Sequence, residues 1–390
     1  MIWETKRLDE LGSVARGKSK HRPRNHPSLY GGKYPFIQTA QVKAANMYIN
    51  EYKQTYNENG LAQSKIWDSG TLCITIAANI ADTAILTFPA CFPDSIIGFI
   101  PFDEIADTRY IKYCFDTMQK KFKQISQGAT QDNLSLEKLA TIKFPAPPLE
   151  IQKRVADILS TYDALIENNE KQINLLEEAA TRLYKEWFIN LQFPNNETAE
   201  IVDGVPKGWK NHKLIDFAEI IMGQSPKSEF YNSKQQGLPF HQGVTNYGYR
   251  FVTDITYSTN YTRIGLADSI LFSVRAPVGR LNITKNKIVI GRGLAAINHK
   301  NGLQSFLFYL LKNRFYKDDL IGNGAIYASI TKDTLYNQEF LLPDINLANQ
   351  FNSIAQDMDQ RIANADRQIN LLKQARDYLL PRLVNGEIEV

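Results

Sequence analysis

At 390 residues the chain is too long for one ordinary domain of roughly 100–200 residues, and it points to two or three. A hydrophobic fraction of 43% with 11% aromatics excludes wholesale disorder, because such a chain can bury a core. Forty-five Lys and Arg against 41 Asp and Glu leave a net charge of +4, which neither demands nor forbids a polyanionic partner, so any basic surface must come from uneven distribution.

The N-terminal stretch, 1–148, reads as a mixed α+β module. From Leu11 to Asn50 it holds seven basic residues and no acidic one. Four of them, Lys18, Lys20, Arg22 and Arg24, crowd the loop Gly17–Arg24, and the run Pro35–Gln38 ends on the amide of Gln38. Lys and Arg neutralise phosphates, whereas Gln, Asn and Arg pair with base edges, so these side chains are candidate DNA contacts. His21 and His26 share the loop, have no partner acids at metal spacing, and read as surface or phosphate-facing groups. Gly70–Ile76 has the length and apolar character of a strand, and Thr108–Gln124 reads as a helix. Cys73, Cys91 and Cys114 lack the spacing of a zinc site or a disulfide framework and suit a reducing cytoplasm. The longest apolar stretch, Thr71–Phe88, is broken by Asn79 and Asp82, so neither export nor membrane insertion is expected.

A glycine turn follows, carrying Gln131 and Asn133, which join the candidate DNA contacts; Pro145–Pro148 then breaks the chain. Residues 149–190 contain no Gly or Pro, and apolar side chains recur at steps of mostly three and four: Val155, Ile158, Tyr162, Ile166, Ile173 and Leu176. The spacing predicts one long helix whose seam needs a partner. Asn169 lies on that seam, where a polar residue either fixes register or faces solvent at an irregularity.

A second module, 200–342, has the loop Gly223–Lys227, with Gln224 and Lys227, and the run Pro239–Gln242 ending on Gln242. Asp268–Val274 reads as a strand and Leu303–Asp318 as a helix. Arg275, Arg280 and Arg292 follow or separate its strands, and Ile255–Lys317 holds ten bases against the single acid Asp268. A second long helix, 343–384, repeats the seam at Phe351, Ile354, Met358, Ile362, Ile369 and Leu372. Pro381 should end it near Leu380, since a proline removes a hydrogen bond and clashes with the preceding turn.

The two halves are copies of one another. Toward the end of each the offset is 196 residues: Tyr113 meets Tyr309, Pro147 meets Pro343, and Gln172–Leu176 meets the identical Gln368–Leu372. Near the start the offset is 206, where Trp3, Leu8, Gly17 and Ser19 meet Trp209, Leu214, Gly223 and Ser225. A repeat this long fixes the architecture before any motif does. Arg275 and Arg280 align with Ala77 and Asp82, equivalent positions of different chemistry, as suits two modules reading different sequences, although surface drift gives the same pattern. From Glu150 to Asn190 there are eight acids and five bases, so the excess positive charge sits on the modules and not on the helix.

Chemistry for catalysis is missing. Pro93-Asp94 followed by Asp103-Glu104 resembles the start of a nuclease metal site but lacks a lysine beside the second acid. Gly322-Asn-Gly324 has no third glycine of a dinucleotide fingerprint, no GxxxxGK[ST] loop exists, and Ala146-Pro-Pro-Leu149 lacks the amide and ring that amino-methyltransferases use on a flipped base. The sequence encodes a reader rather than an enzyme.

The segment Gly128–Ser135, then Leu139–Pro148, then a long helix with Ile151-Gln152 near its start, resembles the specificity (S) subunit of type I restriction-modification systems. Gly324–Pro343 repeats that order, and Leu383–Ile388 is similar to the family's C-terminus; the second copy departs in carrying Asn349-Gln350 for the usual Glu-Gln and Tyr327 for Gln131. The resemblance spans the whole chain. It implies two pseudo-twofold-related α+β target recognition domains, 1–148 and 200–342, separated by two long antiparallel coiled-coil helices, conserved spacers at 149–190 and 343–384. It also implies a non-catalytic chain on double-stranded DNA. Two methyltransferase subunits would bring S-adenosylmethionine, restriction (motor-nuclease) subunits would use ATP and Mg2+, and the chain itself would bind no cofactor. The helices would set an unread spacer and dock the methyltransferase subunits. A stand-alone two-module DNA-binding regulator and a pure protein scaffold are the readings from other classes.

Overall fold

The structure, a computed structural model, describes residues 3–76, 81–127, 136–315 and 329–390, with backbone alone at 120–127. It divides into two compact units, Met1–Lys171 with Asp366–Val390, and Gln172–Ala365. Two helices of 40 residues each, Leu149–Phe188 and Ile345–Val384, cross those boundaries, so each unit owns one module and part of both helices.

In the first unit the strands β1 (Gly12–Arg16), β2 (Tyr30–Phe36), β3 (Leu72–Thr75), β4 (Thr83–Leu86), β5 (Ala90–Cys91) and β6 (Ile96–Pro101) carry the module. One sheet runs in the order β1-β6-β3-β4 with Tyr48–Ile49 at its edge. A second sheet has β2 and β5 side by side and parallel. All four residues of β3 are buried, which explains why it reads as an unbroken apolar run instead of an alternation. Leu72 and Ile74 pack with Tyr110, Tyr113 and Phe115 of the helix Thr108–Gln127, while Cys73 faces the other way, toward Trp67 and Phe92. A short strand, Thr5–Arg7, pairs with Lys143–Pro145 and ties the start of the module to its end.

The second unit repeats this plan with β7 (Ala218–Met222), β8 (Leu238–His241), β9 (Ile270–Ser273), β10 (Leu281–Ile283), β11 (Ile288–Ile290) and β12 (Leu294–His299). The order β7-β12-β9-β10 matches β1-β6-β3-β4, β8 and β11 are parallel as β2 and β5 are, and Lys210–Lys213 pairs with Glu339–Leu342 as the closing ribbon. The duplication read from sequence is thus a duplication of topology. Even an internal hydrogen bond is copied: Tyr113 donates to Asp163 at 2.5 Å, and Tyr309, 196 residues on, donates to Asp359 at 2.9 Å.

Within each unit the helical segments run antiparallel. In the first, Val155 and Leu159 share a core with Leu383 and Val384, and further along Arg376 donates to Asp163 at 2.6 Å. In the second, Tyr184, Trp187 and Phe188 surround Phe351, with ring centroids 5.2–5.9 Å away. Each such aromatic pair contributes roughly 0.5–1.5 kcal/mol beyond area burial.

Of the expected seam residues, Val155, Ile166, Ile173, Phe351, Ile362 and Ile369 are buried, and Tyr162, Leu176, Met358 and Leu372 are half-buried. Ile158 and Ile354 differ from expectation: they are 36% and 40% exposed, and the inward positions belong to their neighbours Leu159 and Ala355, both 0% exposed. Adjacent residues on a helix point about 100° apart, and the phase of these two helices turns Leu159 and Ala355 inward and leaves Ile158 and Ile354 at the edge of the seam, so helix phase outweighs side-chain size here. Asn169 is buried on the seam and donates to the carbonyl of Leu165 in its own helix at 2.8 Å.

Pro381 does not end the second long helix, which continues to Val384. Only one further turn follows the proline. Leu383 and Val384 are 2% and 1% exposed, and Tyr110 donates to the Val384 carbonyl at 3.3 Å, so burial outweighs the hydrogen bond that the proline forgoes. Among the described residues no helix is long and apolar enough to cross a membrane.

Candidate nucleic-acid interface

In each module three segments meet at one rim: the loop after the first sheet strand, the end of the central parallel strand, and the turn before the last sheet strand. In the first unit Gly17 N–H donates to Ile96 at 2.8 Å and Lys18 N–H to Phe92 at 3.1 Å, while Ile37 N–H donates to Cys91 at 2.9 Å, which brings Gln38 beside them. In the second, Gly223 N–H donates to Leu294 and Gln224 N–H to Ile290, both at 2.9 Å, and Gly293 N–H donates to the Gln242 carbonyl at 3.0 Å. Glycine is required here by close approach. A Cβ on Gly17 would lie 2.3 Å from the Pro93 carbonyl, and one on Gly223 would lie 2.1 Å from the Gly291 carbonyl.

The hairpin between the next two strands joins the same rim, since Ile76 N–H donates to Ser95 at 3.1 Å and Val274 N–H to Gly293 at 2.9 Å. The hydrogen bonding of the residues that flank it is also copied. Thr75 Oγ1 accepts from the N–H of Asp82 at 3.1 Å, and Ser273 Oγ accepts from the N–H of Arg280 at 2.8 Å. Asp82 and Arg280 are therefore structural equivalents, as the sequence alignment expects. By the same logic the turns Pro93–Ser95 and Gly291–Gly293 correspond, so Asp94 stands where the second module has Arg292. Arg280 and Arg292 of one rim thus take the positions that Asp82 and Asp94 hold in the other.

Among the sequence-derived candidates, Gln224, Gln242, Arg275, Arg280 and Arg292 gather at the rim of the second module, with Lys227 further along the Gln224 loop; Gln224, Lys227, Gln242, Arg275 and Arg292 are exposed and Arg280 is half-buried. Arg292 N–H donates to Ser225 Oγ at 3.1 Å, and Thr262 Oγ1 donates to the Gln224 carbonyl, so Ser225 and Thr262 brace the turn. In the first module Lys18, Lys20, Arg22, Arg24 and Gln38 gather, all exposed. Gln131 and Asn133 lie outside the described residues.

The basic loop of the first module is held by hydrogen bonds from the protein's own groups. Ser64 Oγ donates to the Lys18 carbonyl at 2.7 Å, His21 N–H to Gln63 Oε1 at 3.0 Å, and Tyr30 Oη to the Arg24 carbonyl at 3.0 Å. Arg22 Nη1 donates to the Ser19 carbonyl at 2.7 Å, which folds its side chain back on the loop. Arg24 Nη2 donates to Asp94 Oδ2 at 2.9 Å. In the sequence Asp94 stands out only beside Asp103-Glu104, yet the offset of 198 that aligns Asp82 with Arg280 also aligns Asp94 with Arg292.

In the second module the strand leading to Gln242 is fixed from below. His241 is buried and its Nε2 donates to Asp254 Oδ1 at 2.8 Å, while Asn286 Nδ2 donates to Oδ2 at 2.6 Å. Burial alone pushes the Asp254 carboxyl upward, but the hydrogen bonds of His241 and Asn286 together hold it below its ordinary 3.8. Its contribution to stability is therefore complete above pH 3.8 and is lost as pH falls through the lowered folded value. Urea unfolding at stepwise lower pH should show a smaller acid loss for Asp254→Asn than for the parent chain; identical acid limbs would remove Asp254 from this role.

The profile described as the type I restriction modification DNA specificity domain matches residues 2–178 and 206–374. The chain is 28% identical over 411 residues to the type I restriction enzyme MjaIX specificity subunit of Methanocaldococcus jannaschii, covering 100% of this chain and 94% of the relative. It is 32% identical over 289 residues to the putative MjaX specificity subunit of the same organism, covering 72% of this chain and 68% of the relative. The solved S subunit of the type I restriction-modification system from M. genitalium shares the fold, with a TM-score of 0.63 at 14% identity over 98% of this chain and 96% of that one. With a duplicated topology, a duplicated rim and a match across both copies, the chain belongs to the type I restriction modification DNA specificity family.

Proposed function

We propose that this chain is the DNA sequence-specificity subunit of a type I restriction-modification complex, in which each module reads one half of a bipartite, asymmetric duplex target. The observation that carries this reading is the pair of rims, built by matching backbone hydrogen bonds yet lined by different side chains. Matching scaffolds present side chains in equivalent ways; different side chains select different bases. The chain supplies recognition and no catalysis. Two methyltransferase subunits carry S-adenosylmethionine, restriction subunits use ATP and Mg2+, and the assembly works in the cytoplasm. The long helices set the separation of the two half-sites and dock the methyltransferase subunits.

Methylation of a randomised duplex library by the full chain co-expressed with its modification partners tests this directly. The expected product is one consensus of two unlike half-sites with a fixed unread spacer. A single contiguous site, a palindrome, or DNA binding by the lone chain with no methylation in the assembled complex would overturn it.

A further inference from the structure

Asp94 heads an incomplete nuclease-like pair in the sequence, and the proposed function leaves it without a role. Its carboxylate is held at the rim of the first module, on the turn that matches the Arg292 turn of the second. A lone carboxylate there would repel the phosphates that the surrounding lysines attract. It is not alone: Oδ2 accepts from Arg24 Nη2 at 2.9 Å, Oδ1 lies 2.7 Å from the same nitrogen, and Arg22 Nη2 is 3.8 Å away. The Arg24 backbone is anchored separately by Tyr30 Oη. Among the described residues neither Nε nor Nη1 of Arg24 has a protein acceptor, so one guanidinium nitrogen is tied down and the remaining donors stay available.

We infer that Asp94 is a positioning residue that aims Arg24 at a guanine of the first half-site, so that Arg24, from a different loop, supplies at this rim the guanidinium that Arg292 supplies at the other. This rests on the reading of the rim as a DNA-reading surface. Arginine paired to guanine O6 and N7 needs a planar fork held in one orientation, whereas a phosphate accepts from many directions. An acid beside the arginine therefore suits base reading: it lowers phosphate attraction and raises orientational order.

Selection of bound duplexes from a library randomised in both half-sites, with the full chain in its complex at fixed salt, separates the roles. Asp94→Asn removes a negative charge, so total affinity holds or rises, while the preference for guanine at one position of the first half-site falls by about tenfold or more. Arg24→Ala loses the preference at the same position, Arg24→Lys loses it too because the fork is gone, and the Arg24→Ala/Asp94→Asn double variant loses no more than Arg24→Ala. The second half-site stays unchanged in all four. Affinity that rises uniformly in Asp94→Asn with every first-half-site preference intact assigns Arg24 to phosphate and overturns the inference, as does Arg24→Lys retaining the guanine preference if Asp94→Asn fails to fold. A parent chain with no base preference at the first half-site overturns the DNA-reading interpretation and this inference with it.

Discussion

Replacing Arg250 with alanine should cost the second unit about 3–5 kcal/mol, the loss typical of stranding a buried charge. Arg250 is 2% exposed, donates to Glu177 at 2.6 Å and to Asp359 at 2.5 Å, and has its guanidinium carbon 3.4 Å from the centre of the Phe308 ring. Lys312 also reaches Glu177, and Tyr309 also reaches Asp359. These remaining partners do not restore what the guanidinium gives: Glu177 is itself 5% exposed, and losing Arg250 takes away one of the two cationic partners of a buried side chain. Urea unfolding followed through Trp187 and Trp209, both in this unit, reads the loss. Adding Glu177→Gln and Asp359→Asn to Arg250→Ala should recover part of it, because the stranded carboxylates are then gone. A loss under about 1 kcal/mol would put the cluster among weakly coupled surface pairs. The Arg250 carbonyl also accepts from Ile283 N–H at 2.9 Å, so the cluster braces β10, the strand that leaves the rim hairpin.

The second large effect concerns that hairpin. Arg275→Ala and Arg280→Ala should each relax recognition at the second half-site by about 1–3 kcal/mol at one base pair, the usual cost of a lost paired contact, and leave the first half-site untouched. Methylation mapping of the variants reads this as a broadened consensus on one side of the spacer. Equal weakening at every sequence, with a shallower dependence on salt, would instead assign both arginines to phosphate.

Much of this was legible in the residues, and the limits have physical causes. The repeat exposed the duplicated topology because strands of one role must keep their length and burial, and Gly17 and Gly223 stayed paired because no Cβ fits at either. The Arg280 and Asp82 correspondence followed from the same register. Local pattern failed where two adjacent residues competed for one inward position, as at Ile158-Leu159 and Ile354-Ala355. It failed again where tertiary burial of Leu383 and Val384 outweighed a proline. The ion cluster around Arg250 was hidden for another reason: Glu177 and Asp359 sit on the long helices, and their partner comes from a loop 73 residues from the nearer one, beyond the reach of any local pattern. Arg24 and Asp94, 70 residues apart, were hidden in the same way, although the repeat register held the clue.

The crossing of both long helices over the unit boundaries has a genetic consequence. Trp187 and Phe188, encoded in the first repeat, are core residues of the second unit, and Leu383 and Val384, encoded in the second repeat, are core residues of the first. A lesion at Trp187 is therefore inherited with one repeat and felt in the other. Recombination that trades a module between related genes should keep both cores intact when its joints fall near Lys171 and Ala365, inside the helices, rather than where the two repeats meet.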